Sequence, residues 1–303
     1  MLKQKALKKI FATTLTMFII LTIYTIPTTN NKNILRTNLE LTDITSLATN
    51  TVYLLNKNNY LVKTDVFIEG VTEEEKIKKI INYLIINNPQ NSDSLRGYLP
   101  KGTKVNKIKI ENNNIYIDFS KELLNYDKEN EKNIITGLTY TLLELKNITS
   151  FSFTVEGEKI KDYANPLNKN IGINNDYTLN SRNNINRVIV YYYDSNDNNS
   201  YIPITKYLND NREKIEIIVD ELKNNNDCNL ISPVNNNLEL LDYYEEANVL
   251  FLNFNNYLLD TNKEIKKAII KEISYSVFDN YENINMVIFK VNNEQKEYFQ
   301  RYN

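Results

Sequence analysis

Histidine is absent from this 303-residue chain, and cysteine occurs once, at Cys228. The first absence removes Ser-His-Asp and Cys-His nucleophile systems; the second removes an intrachain disulfide and any zinc site built from several thiolates. Glycine is scarce too. Gly70, Gly97, Gly102, Gly137, Gly157 and Gly172 are all there are, and no two are spaced as in a nucleotide phosphate loop. The residues therefore point to no catalytic, cofactor-binding or metal site. A basic excess is also lacking, since 36 Lys and Arg stand against 38 Asp and Glu. Residues 1–26 hold Lys3, Lys5, Lys8 and Lys9 and no acid, so the remainder is mildly acidic. That argues against nucleic acid as a partner, because neutralising phosphates takes clustered cations. What is present is an apolar content of 42%, enough for two domains with real cores.

The four lysines precede an uncharged run, IFATTLTMFIILTIYTI over 10–26, which closes at Pro27. A basic end followed by an apolar helix-length stretch is an export signal or a membrane anchor. At about 1.5 Å per residue the run is at the short end of what spans a bilayer. Small residues suited to a cleavage site are missing near Tyr24 and Ile26, which favours an uncleaved anchor. Residues 1–29 are thus the anchor or signal peptide and 30–50 a juxtamembrane linker. The lysines lie in the cytoplasm by the positive-inside rule, and the rest of the chain is extracytoplasmic.

Beyond the linker the chain repeats itself with a period near 135 residues. KIKKIINYL (76–84) matches KIEIIVDEL (214–222), each with apolar residues at helical spacing. NIYIDFSKELL (114–124) matches VLFLNFNNYLL (249–259), where Ile115, Ile117 and Phe119 alternate as in a half-buried strand. A second helix places Tyr140 on Tyr275. A closing strand follows through Phe151, Phe153 and Val155 or Val287, Phe289 and Val291. Each repeat opens with a strand, TVYLL (51–55) or RVIVYYY (187–193), trailed by a further apolar piece at Leu61–Ile68 or Ile202–Tyr207. Thr72 with Glu75, and Thr261 with Glu264, have capping-box spacing. Asn112 to Asn114 supply the left-handed backbone of a tight hairpin. The order per repeat is β-α-β-β-α-β, an α+β unit with a small mixed sheet and two helices on one face. The expected domains are 51–161 and 186–297, joined by a linker over 162–185 and followed by a tail over 298–303.

Paired carboxylates are the acid-base equipment that remains once histidine is gone. Glu73, Glu74 and Glu75 open a helix, where its dipole favours them, and Glu156 and Glu158 flank a turn glycine. Asp118 stands at a strand end, but its counterpart is Asn253, which cannot be a general acid. Asp194 and Asp197 lie in DSNDNNS (194–200), a loop without the glycine and terminal glutamate of a calcium-binding EF-hand, and read as a solvated turn. Tyr191, Tyr192 and Tyr193 could stack on sugars, though alternate strand residues face opposite sides. Cys228 has no cation beside it and reads as a small core residue.

Pro100-Lys101-Gly102-Thr103 ahead of the hairpin, Asp118-Phe119-Ser120 at the strand end and Val155-Glu156-Gly157 after the last strand resemble the GerMN domain of bacterial sporulation and spore germination proteins. The second repeat resembles it more weakly, through Pro233, Asn253-Phe254-Asn255 and Asn292-Asn293. The resemblance implies two tandem GerMN domains, akin to ring-building domains of sporulation and secretion assemblies, with no catalytic residues. Relatives usually carry a lipid-anchoring cysteine, and none follows the apolar run here. Independently of the family, Pro100 and Gly102 suit a turn, and Asp118 and Ser120 can accept bonds from backbone amides. The function implied is a non-enzymatic, membrane-tethered protein of the cell envelope of a Gram-positive bacterium, acting in sporulation or germination. Its expected partners are envelope or sporulation-complex proteins and a second copy of the chain; the alternative is a peptidoglycan-binding or wall-acting protein. Charge separates the repeats: residues 51–161 are net +1 and residues 186–297 net −8, which suggests distinct partners.

Overall fold

The computed structural model describes Thr14 and residues 49–68, 70, 72–92, 94–160, 166–175, 186–194, 197–225 and 227–301. The apolar run at 10–26 lies outside them apart from Thr14, which is helical. Among the described residues no helix is long and apolar enough to cross a membrane. Residues 48–303 form one compact unit that holds both repeats.

In the first repeat β1 (Thr49–Leu55) and β2 (Leu61–Phe67) pair as an antiparallel hairpin. Helix α1 (Glu73–Tyr83) follows, with Thr72 Oγ1 accepting from the Glu75 amide at 3.1 Å, so the first capping residue performs as its spacing predicts. The hairpin β3 (Val105–Glu111) and β4 (Asn114–Phe119) turns at Asn112 and Asn113, both with positive φ. Helix α2 (Glu131–Leu142) then carries the chain over to β5 (Ser150–Val155), which is parallel to β4. The second repeat runs β6 (Asn186–Asp194), β7 (Asp197–Leu208), α3 (Lys214–Lys223), β8 (Leu230–Ile231), β9 (Leu240–Glu246), β10 (Val249–Phe254), α4 (Lys267–Asn280), β11 (Met286–Val291) and β12 (Glu294–Gln300). Its β10 and β11 are again parallel, flanked by antiparallel β9 and β12. The fold is α+β in two tandem copies.

Several details go beyond the sequence pattern. The second apolar piece of each repeat is a full strand, so the first copy is β-β-α-β-β-α-β, while the second adds β8 and β12; each holds two sheets, the opening hairpin, joined in the second copy by β8, and the mixed sheet. Residues 298–300, expected as tail, belong to β12, which Asn292 and Asn293 turn back onto β11 through positive φ angles. Thr261 and Glu264 form no capping box. Asp260 Oδ1 accepts from the Asn262 and Glu264 amides, closing a tight loop, and α4 starts only at Lys267.

Helices α2 and α4 are unusually polar where they are buried, and the hairpin sheets explain why. The Tyr53 amide on β1 donates to Thr141 Oγ1, and the Tyr191 amide on β6 donates to Ser276 Oγ, each at 3.0 Å. Asn280 likewise accepts from the Ile189 amide and donates to its carbonyl. Helix side chains thus satisfy strand-edge groups that would otherwise be buried unpaired.

The two copies are not beads on a thread. Residues 166–175, within the expected linker, pack into the body: Leu167 bridges to Phe151, and Ile173 is fully buried. Asn174 stands between β2 and β7, accepting from the Leu61 amide and donating to the carbonyls of Leu61 and Pro203. Asp194, expected in a solvated turn, is buried and accepts from Asn56 at 2.6 Å across the seam.

Candidate functional site

Of the residues that carry the family resemblance, Phe119 and Val155 are buried in the core, and the polar ones Asp118 and Ser120, with Gly102, are spent on turns. Asp118 Oδ1, at the end of β4, accepts from the Gly157 amide at 2.8 Å and from Thr154 Oγ1 at 2.6 Å; Oδ2 accepts from Asn106 at 3.1 Å. Burial alone would raise its pKa. The hydrogen bonds from Thr154, Gly157 and Asn106, with Lys107 nearby, outweigh that and hold the carboxyl below the usual aspartate range. A group in that state is a poor proton donor at neutral pH. Ser120 Oγ accepts from the Lys104 amide, and Gly102 takes a φ of +89° in the preceding turn. In the second repeat Asn253 Oδ1 accepts from the Asn293 amide at 2.8 Å, and Asn255 donates to the Asn237 carbonyl. The motif is a clamp that ties the end of the central strand to the turn after its parallel neighbour.

The other candidates read from residue type and spacing disperse when placed in the fold. Glu73 and Glu74 lie in the first turn of α1, Glu156 Oε1 accepts from the Lys121 amide, and Asp194 is taken up by the seam between the copies. Tyr191, Tyr192 and Tyr193 are buried on β6, their hydroxyls bonded to Asp279, the Glu221 carbonyl and Tyr201, so no ring is open to a sugar. Cys228 is exposed, contrary to the core reading: it lies in a surface turn where Asp227 accepts from the Asn229 amide.

What remains is the outer face of each mixed sheet, exposed at Lys109, Tyr116, Asp242, Tyr244 and Tyr298 and buried at Asn114, Ser152 and Asn253. In the first repeat, register places Glu111, Asn114 and Ser150 in one cross-strand row, Lys109, Tyr116 and Ser152 in the next, and Lys107, Asp118 and Thr154 in the third. The face is polar, and with Lys159 and Pro166 it walls a groove of about 360 Å³. The corresponding rows of the second repeat are Glu246, Val249, Met286 and Gln300; Tyr244, Phe251, Ile288 and Tyr298; and Asp242, Asn253, Lys290 and Gln295. Its middle row is apolar from edge to edge. Tyr244 and Phe251 stack with centroids 4.5 Å apart and planes 8° apart, and Lys290 Nζ lies 4.9 Å and 5.0 Å from their centres. The pattern was in the sequence. VLFLNF is apolar at both parities, where NIYIDF alternates.

Two carboxyls, half-buried Glu144 and fully buried Glu272, complete the electrostatics. Glu144 opposes Lys169 at 2.8 Å and Lys63 at 3.2 Å. Desolvation works against ionisation there, but the two ammonium groups prevail and hold its pKa down at about 2. Glu272 on α4 has the opposite fate: burial without a cation pushes its pKa up to about 9, with Ser232 Oγ donating to it at 2.8 Å.

Comparison with known proteins follows the same division into repeats. The Germane family model, described as sporulation and spore germination, matches residues 51–161 and 189–297. The spore germination protein GerM of Bacillus subtilis is 30% identical over 183 residues, covering 55% of this chain and 48% of the relative. The chain thus aligns with about half the length of that curated relative. The solved tandem GerMN domains of the Bacillus subtilis sporulation protein GerM superpose with a TM-score of 0.73 at 23% identity, over 84% of this chain and 97% of that one. This likeness concerns the fold.

Proposed function

The chain belongs to the Germane family of sporulation and spore germination, and from that premise we propose that it is a non-enzymatic assembly component of the cell envelope. In this reading residues 10–26 hold it at the membrane, both repeats lie outside the cytoplasm, and the sheet faces meet other envelope proteins. The observation that carries it is the use of Asp118. Hydrogen bonds from Gly157, Thr154 and Asn106 occupy the motif's strand-end carboxylate, and Asn253 replaces it in the second repeat. A residue whose work an amide can do is not a proton donor.

The test pairs location with chemistry. In cells making the full chain, the protein should fractionate with membranes, keep Lys3 to Lys9 by intact mass, and be degraded by protease added outside the membrane. Purified full chain incubated with sacculi should release no muropeptides, and a strain carrying Asp118→Asn should sporulate and germinate as the parent does. Muropeptide release abolished by Asp118→Asn would overturn the non-enzymatic reading, and a new N-terminus near residue 27 would overturn the anchor.

A further inference from the structure

The middle row of the second repeat's outer face is where the two copies differ most in chemistry. At equivalent register Lys109 becomes Tyr244, Tyr116 becomes Phe251, and Ser152 becomes Ile288, while β12 adds Tyr298. A sheet face turned to water needs none of these apolar side chains, since the core is already made by Leu250, Leu252, Phe254, Val287 and Phe289 behind it. The row ends are open: Tyr244 is 42% exposed and Tyr298 56%. Asp242 and Glu246 flank Tyr244 on the same strand and face, both exposed. The cation already on that face, Lys290, lies over the Tyr244 and Phe251 rings.

Resting on the assembly role above, we infer that this face docks a basic protein surface, one that lays an aliphatic or aromatic side chain along Tyr244, Phe251, Ile288 and Tyr298 and sets Lys or Arg against Asp242 and Glu246. Charge selects that occupant. The second repeat is net −8, so it attracts cationic surfaces and is repelled by anionic lipid. A sugar is disfavoured by the stacking: Tyr244 and Phe251 cover one another's faces, and the row continues beside them with aliphatic Ile288. An apolar row bordered by charge has the composition of an interface centre with a polar rim.

The experiment places a photoreactive benzoylphenylalanine at Tyr298 in the full chain, and in a second strain at Tyr116 on the first repeat, and maps the adducts formed in living cells. Residue 298 is expected to crosslink another protein through a peptide bearing Lys or Arg next to an apolar residue. Binding of that purified protein to the full chain should weaken at least tenfold with Ile288→Ser and at least tenfold with Glu246→Lys, and should fall as salt rises. Because Glu246 is exposed and Ile288 is half-buried outside the core, circular dichroism melting should stay close to the parent. Adducts from 116 but none from 298 would overturn the inference and leave the assembly role standing. Adducts only to glycan at both positions would overturn both. Self-crosslinks, lipid adducts, no adduct from 298, or a partner whose binding ignores both substitutions would each overturn the docking inference.

Discussion

Asn114, Tyr116 and Asp118 of β4 occupy the register positions that Val249, Phe251 and Asn253 occupy on β10, while Ile115, Ile117 and Phe119 correspond to Leu250, Leu252 and Phe254. The inward residues keep their character because each core is closed by them. The outward ones have diverged from polar to apolar, except Asp118 and Asn253, whose clamp both folds need. Divergence therefore falls where packing does not constrain it, and the exceptions mark structural work. Divergence also reaches inside, at the carboxyls: half-buried Glu144 of the first repeat has two cations, while fully buried Glu272 of the second, which stands where the first has Gly137, has a hydroxyl.

The strongest way to break that contrast is to remove Glu144. Glu144→Ala leaves Lys169 and Lys63 without their shared partner in a partly desolvated site, and should cost about 3 kcal/mol in urea unfolding, the low end for a buried pair because both lysines reach water. A loss below about 1 kcal/mol would mean that water solvates the cluster as it does a surface pair. Glu144, with its folded pKa near 2 against 4.5, contributes stability that is present above pH 4.5 and fades as pH falls toward 2.

Glu272 has the reverse sign. Its folded pKa of about 9 against 4.5 means the native state holds a proton that the unfolded state has released. Its contribution is whole below pH 4.5 and drains at about 1.4 kcal/mol per unit as pH rises toward 9. Between pH 5 and 7 the parent should lose about 3 kcal/mol relative to Glu272→Gln, which has no such proton. Parallel stability curves for the two proteins would show that Glu272 reaches solvent.

Gly137 is the counterpart of Glu272. A Cβ at Gly137 would stand 2.6 Å from the Tyr98 hydroxyl oxygen, so the first repeat fills with the Tyr98 ring the space that the second fills with a carboxyl. Gly137→Ala should cost about 1–3 kcal/mol by overpacking. Adding Tyr98→Ala should not cost the sum of the two single changes, since each makes room for the other.

Much of this architecture could be read from the chain, and the failures have physical causes. The repeat, the helix faces and the Asn112–Asn113 turn were legible because period and left-handed backbone leave marks in residue type. β12 was not: EQKEYFQ is an edge strand with one flank in water, and only Phe299 packs on the core. Nor was the seam between the copies, because Asn174, Asn56 and Asp194 build it from side-chain hydrogen bonds that have no period. The Thr261–Glu264 spacing misled because Asp260, one residue earlier, captures the Glu264 amide, along with that of Asn262. The outer apolar row was visible as broken alternation in VLFLNF, but only the register of β11 and β12 showed that it runs unbroken across the sheet.

The smallest expected effect is the sharpest test of the clamp. If Asp118 and Asn253 do the same work, Asp118→Asn should change stability by less than about 1 kcal/mol, since an amide oxygen can accept from Gly157 as Asn253 does from Asn293. Asp118→Ala should cost more, because it leaves the Thr154 hydroxyl and Gly157 amide without their acceptor. The Asn variant should also remove the part of the acid-induced loss that comes from a carboxyl held below its usual pKa, stability present at neutral pH and lost as the group protonates. Equal losses for the Asn and Ala variants would show that negative charge, not an acceptor oxygen, holds the turn. The second repeat would then need another explanation for closing the same turn with a neutral side chain.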